Sequence, residues 1–195
     1  MAAAQVRGFQ GPSLGSPGRL MAGPKHFAGY GAALGGRDYD EVNLSDSELW
    51  NVYFPPFTAA LEAGAGNVMT AYMDLNGVPA TGNAWLFTDV LRGTLGFHGF
   101  VVSDANAVRN LVTHGFARDL TDAGARALSA GVDMEMAISD PAYAHLAEAV
   151  EQGIVDEETL DACVRRVLEA KLRIRLFVEP HDDEDDAREI LIDPE

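Results

Sequence analysis

The stretch Gly99-Phe100-Val101-Val102-Ser103-Asp104 decides which fold the sequence predicts. Its apolar centre contains β-formers without polar alternation, which is typical of a strand buried on both faces, as in a parallel sheet. A helix-like stretch follows at residues 105–112, so Asp104 is expected at the carboxyl end of the strand. In α/β barrels that end carries the reactive groups. Capping of the next helix by the Asp104 carboxylate is the alternative, because aspartate is a favoured N-cap.

The rest of the chain repeats the order strand, loop, helix, which predicts an α/β fold with parallel strands and right-handed crossovers. Four such units are half of a (β/α)8 TIM-like barrel, whose complete form takes about 250 residues. The other strands are expected to end at Lys25-His26 and to cover residues 67–72 and 131–136. Helices are expected over residues 45–61, 83–95, 120–130, 141–152 and 156–177.

Composition and charge limit the partners. Thirty acidic and fourteen basic residues give a net charge of −16, which argues against nucleic acid and anionic membranes. Residues 179–195 hold nine acidic residues and one arginine, and we interpret them as an acidic linker or tail after a domain of residues 1–178. The single cysteine, Cys163, lies in a helical pattern and is expected to be a buried thiol. No metal-ligand spacing occurs, so we expect neither a metal nor a cofactor.

Polar side chains stand at the carboxyl ends of the expected strands, so one face of the sheet is expected to collect them. They are Lys25, His26, Tyr72, Asp104 and Glu135. Each one alone has a structural explanation, such as a hydrogen bond to a backbone carbonyl for Tyr72. Lys25 is the hardest to explain structurally, because a buried ammonium is costly unless it is paired.

A glycine-rich loop over residues 28–43 follows the Lys25-His26 pair. It is too long for a plain connection and contains Tyr30, Arg37, Asp38 and Tyr39, so it is a candidate binding loop.

Taken together, these segments resemble glycoside hydrolase family 3, the β-glucosidase family. The resemblance runs nearly from end to end, and the order and spacing of its segments also fit. The segments are KHFAGYG (25–31), GGRDY (35–39), YFPPF (53–57), AGAGNVMTAYMDLNGVPAT (63–81), LFTDVLRGTLGFHGFVVSD (86–104) and AGVDMEM (130–136).

The resemblance implies that Asp104 is the catalytic nucleophile of a retaining mechanism. It also implies that Lys25 and His26 bind hydroxyls of the reacting sugar and that Tyr72 lies beside the nucleophile. Arg37 and Asp38 are further candidates for contacts to the carbohydrate. Retention requires a second carboxyl group about 5–5.5 Å from the first. In this type of family member that group is a glutamate of a following domain, and no residue of this chain is expected to replace it.

The resemblance further implies that residues 1–178 form the C-terminal half of the catalytic barrel. The partners are then a β-glucoside or related carbohydrate, together with the missing half-barrel and second domain of the same parent protein. The chain alone is expected to be inactive or nearly so. Ala105 stands where many family members have a tryptophan, so an aromatic wall of the sugar site is missing or is supplied elsewhere.

Two other interpretations remain open. The chain could be a half-barrel that self-associates or binds carbohydrate without cleaving it, because open barrel edges leave strand N–H and C=O groups unpaired. It could also be a lyase or aldolase barrel in which Lys25 forms a Schiff base.

Overall fold

A computed structural model describes residues 1–178, in which helices alternate with short strands. The α-helices are α1 (Ala2–Gln10), α2 (Asp46–Glu48), α3 (Phe54–Glu62), α4 (Ala107–Thr113), α5 (Leu120–Ala130), α6 (Leu146–Glu151) and α7 (Glu157–Arg173). The strands are β1 (Asn67–Met69), β2 (Asp74–Leu75), β3 (Val78–Pro79), β4 (Phe100–Ala105) and β5 (Met134–Met136). Segments Leu49–Tyr53 and Trp85–Thr94 are π-helical, and short 3-10 turns cover Tyr30–Ala32, Leu34–Gly36, Ala80–Gly82 and Ala142–His145. The tail expected at 179–195 lies outside the described residues.

Three strands form a parallel sheet in the order β1, β4, β5, with the strand of the opening stretch in the centre. Val68 of β1 lies beside Val101 of β4, and both are fully buried. The parallel pairing and the α/β class predicted from the sequence are confirmed. A separate antiparallel pair, β2 and β3, lies in the segment after Tyr72 that was expected to be a loop.

The strand expected to end at Lys25-His26 is reduced to one bridge, one residue later. Phe27 pairs in parallel with Thr70, and the Phe27 N–H donates to the Met69 carbonyl at 2.9 Å. The Met69 N–H in turn donates to the Pro24 carbonyl at 3.2 Å. Proline has no N–H, so Pro24 cannot contribute a donor to a regular ladder.

The helix expected over residues 45–61 forms over residues 46–62, with a π-helical stretch at Leu49–Tyr53. Ser45 and Glu48 make a complete capping box, in which the Glu48 N–H donates to the Ser45 hydroxyl and the Glu48 carboxylate accepts from the Ser45 N–H. Pro55 and Pro56 lie just after the π-helical segment, and the backbone stays helical across that junction. They lie in the first turn of α3, where no N–H donor is needed.

The helix expected over residues 83–95 is π-helical, and this changes which side chains it buries. Leu86, Val90 and Leu91 are buried as expected, but Phe87 is also buried and Trp85 is 38% exposed. The sequence pattern places Trp85 on one helix face with Leu86, Val90 and Leu91, but in the structure Trp85 is not buried with them. A π-helix turns by a different angle per residue than the 3.6-residue helix on which that expectation was based.

The core lies where the helices cover one face of the parallel sheet, and it includes Phe27, Val68, Val101 and Val132. Cys163 is buried against α5 and α6, as expected, and burial raises the pKa of its thiol to about 12. Within residues 1–178, none of the helices combines the length and apolar character needed to cross a membrane.

Candidate active site

A β-bulge near the end of β4 sets the position of Asp104. Val102 lies opposite Met134 and Ala105 opposite Met136, so β4 has one residue more than β5 between these pairs. The buried hydroxyl of Ser103 accepts a hydrogen bond from the Met136 N–H at 2.9 Å. Bulges often redirect a side chain beside an active site. Here the irregularity coincides with the residue that the sequence singles out.

Three donors surround the Asp104 carboxylate. His26 Nε2 lies 2.9 Å from Oδ2. The Tyr72 hydroxyl lies 3.0 Å from Oδ1 and 2.8 Å from the Ala105 carbonyl oxygen, so these two acceptors share its one proton. The Ala105 N–H donates to Oδ1 at 2.7 Å. The side chain keeps 15% of its surface exposed, so a ligand can reach it. Capping by Asp104 is not observed, because the N-cap of α4 is Asn106, which makes no side-chain cap bond.

The two side chains beside Asp104 have shifted pKa values. Burial lowers the pKa of His26 below 6.5, although the nearby Asp104 carboxylate opposes that shift. Burial raises the pKa of Tyr72 well above 10.0, and its hydrogen bond to Asp104 acts in the same direction. Tyr72 is therefore a protonated phenol that donates a hydrogen bond. His26 is neutral over more of the pH range than an exposed histidine.

Hydroxyl groups support the backbone beneath the carboxylate. The Asp104 N–H points at Thr70 Oγ1 over 3.4 Å, and Thr70 Oγ1 lies 2.8 Å from Thr81 Oγ1. Both threonines are buried. Sequence reasoning did not identify these threonines or Ser103. The signal that could have found them is position, because Ser103 and Thr70 lie at the ends of adjacent parallel strands.

Aromatic rings form a wall beside the carboxylate. The ring centroids of His26 and Tyr30 are 5.3 Å apart, and those of Tyr30 and Tyr72 are 6.4 Å apart. Tyr39 contacts the Tyr72 ring at 4.6 Å. Two of these rings, Tyr30 and Tyr39, belong to the loop at 28–43.

The structure joins His26, Tyr72 and Asp104 by direct contacts but not the other predicted site residues. Lys25 is exposed and lines a groove of about 550 Å³ between α1 and α3. Its charge lowers the pKa of His26, so the ammonium group lies within electrostatic range of the site. Arg37 pairs with Asp40 at 2.7 Å. Asp38 is exposed, but its charge raises the pKa values of His26 and Tyr72, so it lies within electrostatic range of the site.

Glu135 stabilises a turn rather than joining the polar side chains at the ends of the other strands. Its carboxylate accepts hydrogen bonds from the N–H groups of Ala142 and Tyr143, at 3.1 and 2.8 Å. It therefore caps the 3-10 turn after β5. The neighbouring Met134 and Met136 are 44% and 40% exposed.

The chain also matches a known protein family. The model of the glycosyl hydrolase family 3 N-terminal domain matches residues 1–170. The chain belongs to glycosyl hydrolase family 3. It is 44% identical over 182 residues to a periplasmic β-glucosidase of Salmonella typhimurium. It is 38% identical over 182 residues to a putative β-xylosidase of Formosa agariphila.

Solved structures of the family have the same fold. The crystal structure of a β-glucosidase from Listeria innocua in complex with glucose superposes with a TM-score of 0.87 at 41% identity. That superposition covers 92% of this chain and 25% of that enzyme. A mutant of the Listeria enzyme in complex with laminaribiose superposes with a TM-score of 0.91 at 39% identity, covering 98% of this chain and 27% of the mutant.

This family 3 chain spans about a quarter of the relatives that it matches. The alignment with the Salmonella enzyme covers 93% of this chain but 24% of that enzyme, and the Formosa alignment covers 91% and 24%. These relatives are glycoside hydrolases, and this chain corresponds to part of them.

Proposed function

We propose that this chain supplies the nucleophile of a retaining β-glycosidase that acts on terminal β-linked sugars. The observation that carries the proposal is the Asp104 carboxylate at the carboxyl end of β4, held by His26 and Tyr72. Membership of family 3 and the similarity to β-glucosidases and β-xylosidases support it.

In the proposed reaction Asp104 attacks the anomeric carbon of the sugar. A bond forms between a carboxylate oxygen and this carbon while the glycosidic C–O bond breaks, and the leaving oxygen takes a proton from a general acid. Water then hydrolyses the glycosyl-enzyme and restores the carboxylate. Oδ2 is the better attacking oxygen, because it has one close donor whereas Oδ1 has two.

His26 and Tyr72 orient the carboxylate in this proposal, and Lys25 and His26 bind sugar hydroxyls. Hydrogen bonds to those hydroxyls position the ring and strengthen as positive charge develops on it. Arg37 and Asp38 belong to the loop that borders the sugar.

The proposal places residues 1–178 as the C-terminal half of a (β/α)8 barrel and residues 179–195 as an acidic linker to a further domain. A retaining enzyme needs a general acid, and within residues 1–178 no second carboxylate is hydrogen-bonded to Asp104, His26 or Tyr72. The proposal therefore takes the acid from the further domain. Losing it slows reactions of poor leaving groups by about 10²–10⁴-fold.

A mechanism-based label tests the assignment of Asp104. 2,4-Dinitrophenyl 2-deoxy-2-fluoro-β-D-glucoside is suitable, because its leaving group departs without protonation. The label is applied to the chain and to a chimera in which the chain replaces the matching segment of the Listeria β-glucosidase. Peptide mass spectrometry should locate the adduct on Asp104, and Asp104→Asn should abolish it. An adduct on another carboxylate would refute the assignment.

A second candidate is a half-barrel that self-associates without catalysis. The exposed methionines of β5 at the sheet edge favour it, because an exposed edge strand with apolar side chains invites pairing.

A further inference from the structure

Tyr39 has a backbone conformation that is uncommon for an aromatic residue. Its φ is 66°, in the left-handed region that favours glycine, and its side chain is 51% exposed. An aromatic residue held in such a conformation requires an explanation, and backbone strain of this kind clusters at functional sites. Folding alone is a poor explanation here, because the strained residue leaves half of its surface in water.

The loop holds Tyr39 in place from both sides. Arg37 and Asp40 flank it and form an ion pair at 2.7 Å. The Leu34 N–H donates to the Glu41 carbonyl at 3.1 Å and closes the loop behind the pair. These contacts hold the backbone around Tyr39 without bound carbohydrate.

The Tyr39 ring packs on Tyr72, next to the group formed by His26, Tyr72 and Asp104. It lies 4.6 Å from the Tyr72 ring, at an interplanar angle of 51°, and the Tyr72 hydroxyl contacts Asp104. Tyr72 is half-buried, whereas Tyr39 is exposed, with about half of its surface facing solvent. A group on the exposed side of Tyr39 would therefore sit one ring further from the carboxylate than a sugar beside Tyr72.

We propose that Tyr39 is a stacking surface for the ring attached to the reacting sugar, either an aryl group or a second pyranose. This inference rests on the proposed glycosidase function. The π face of tyrosine carries partial negative charge, which attracts the edge of an aromatic ring or the C–H groups on the apolar face of a pyranose. The site then selects glycosides whose leaving group is a ring over those with a small alkyl group.

Two thioglucosides that resist hydrolysis test the proposal on the 195-residue chain. Dissociation constants of phenyl and methyl 1-thio-β-D-glucoside are measured by saturation-transfer NMR, which detects weak binding. The wild type should prefer the phenyl glucoside, and Tyr39→Ala should reduce that preference roughly three- to tenfold. Tyr39→Phe keeps the ring and should keep the preference. Binding of the methyl glucoside should be the same in all three proteins.

Tyr39→Gly separates stacking from folding. Glycine adopts a positive φ without strain, so this variant should unfold at the same or a higher temperature than the wild type while losing the preference. An unchanged preference in Tyr39→Ala, or equal weakening of both glucosides, would overturn the stacking role alone. A wild-type chain that binds neither glucoside would overturn the carbohydrate site as well.

Discussion

The donors to Asp104 come from three parts of the chain. His26 lies before β1, Tyr72 lies just after β1, and Ala105 is the next residue in β4. Only the Ala105 N–H belongs to the same strand as Asp104, and the other two donors come from different segments. The orientation of the carboxylate therefore depends on the sheet order that brings the three segments together.

At this scale we predict that His26 titrates below pH 6.5, because burial outweighs the attraction of Asp104. Asp104→Asn removes that attraction and should lower the midpoint further. The pKa of His26 is lower in the folded state than in the unfolded state, so at acidic pH the unfolded state binds more protons. The stabilising effect of the neutral His26 is therefore complete above pH 6.5 and is lost as the pH falls below it. NMR titration of the imidazole measures both midpoints.

Asp74→Asn is the matched control, since Asp74 pairs with His114 at 2.6 Å rather than with His26. It should leave the His26 midpoint unchanged. A wild-type midpoint above 6.5 would show that the ion pair, not burial, dominates.

Asp133 is the second residue for which we predict a large effect. Its carboxylate is fully buried, pairs with Arg92 at 2.6 Å and Arg166 at 2.7 Å, and accepts from the Val101 N–H. Asp133→Asn leaves two partly buried guanidinium groups without their counter-charge, so the free energy of unfolding should fall by about 3 kcal/mol. Urea denaturation measures the change.

Asp140→Asn provides the comparison for Asp133. Asp140 also pairs with an arginine, Arg109, but its side chain is 71% exposed. Its substitution should cost below about 1 kcal/mol. Equal effects of the two substitutions would contradict the importance that we assign to burial.

At the scale of elements, the bulge in β4 depends on the Ser103 hydroxyl. Ser103→Ala removes the acceptor of the Met136 N–H and leaves this donor without its partner, which should lower the free energy of unfolding by about 1–3 kcal/mol. Thermal unfolding measures the loss, and labelling of Asp104 by the fluoroglucoside should slow as the bulge relaxes. Ser139→Ala, at an exposed serine, should change stability by less than about 0.5 kcal/mol. Similar losses would indicate that the hydroxyl of Ser103 is dispensable.

Local signals predicted several elements well. The helix expected from Ser45 begins with a capping box, and α5 covers Leu120–Ala130 as expected. The central strand, in contrast, does not stop at the first polar residue but continues through Ser103 and Asp104 to Ala105. The π-helix at Trp85–Thr94 and the single bridge at Phe27 were not predicted, since both depend on packing against distant segments.

At the scale of the whole molecule, β5 leaves an exposed apolar edge. It pairs with β4 on one side, and Met134, Met136 and the following Ile138 are exposed. We predict that the isolated chain self-associates through this edge, so its average mass in light scattering should rise with concentration. The double substitution Met134→Lys with Met136→Lys should reduce the rise.

Val164→Lys is the control for this prediction, because Val164 is also exposed but lies on α7. It should leave the association unchanged. A wild-type chain that stays monomeric at all concentrations would refute both the association and the non-catalytic alternative that depends on it.

The family and the α/β order could be inferred from the amino-acid sequence, because motif spacing and the alternation of apolar and polar segments are local properties. The sequence also identified Asp104, His26 and Tyr72 as candidate site residues. Their contacts, the turn of Glu135 toward the Ala142 N–H and the strained position of Tyr39 required the folded chain. The end of a predicted strand indicates which residue lies near the edge of the sheet. The direction of its side chain depends on a bulge, a neighbouring strand or a loop from another part of the chain.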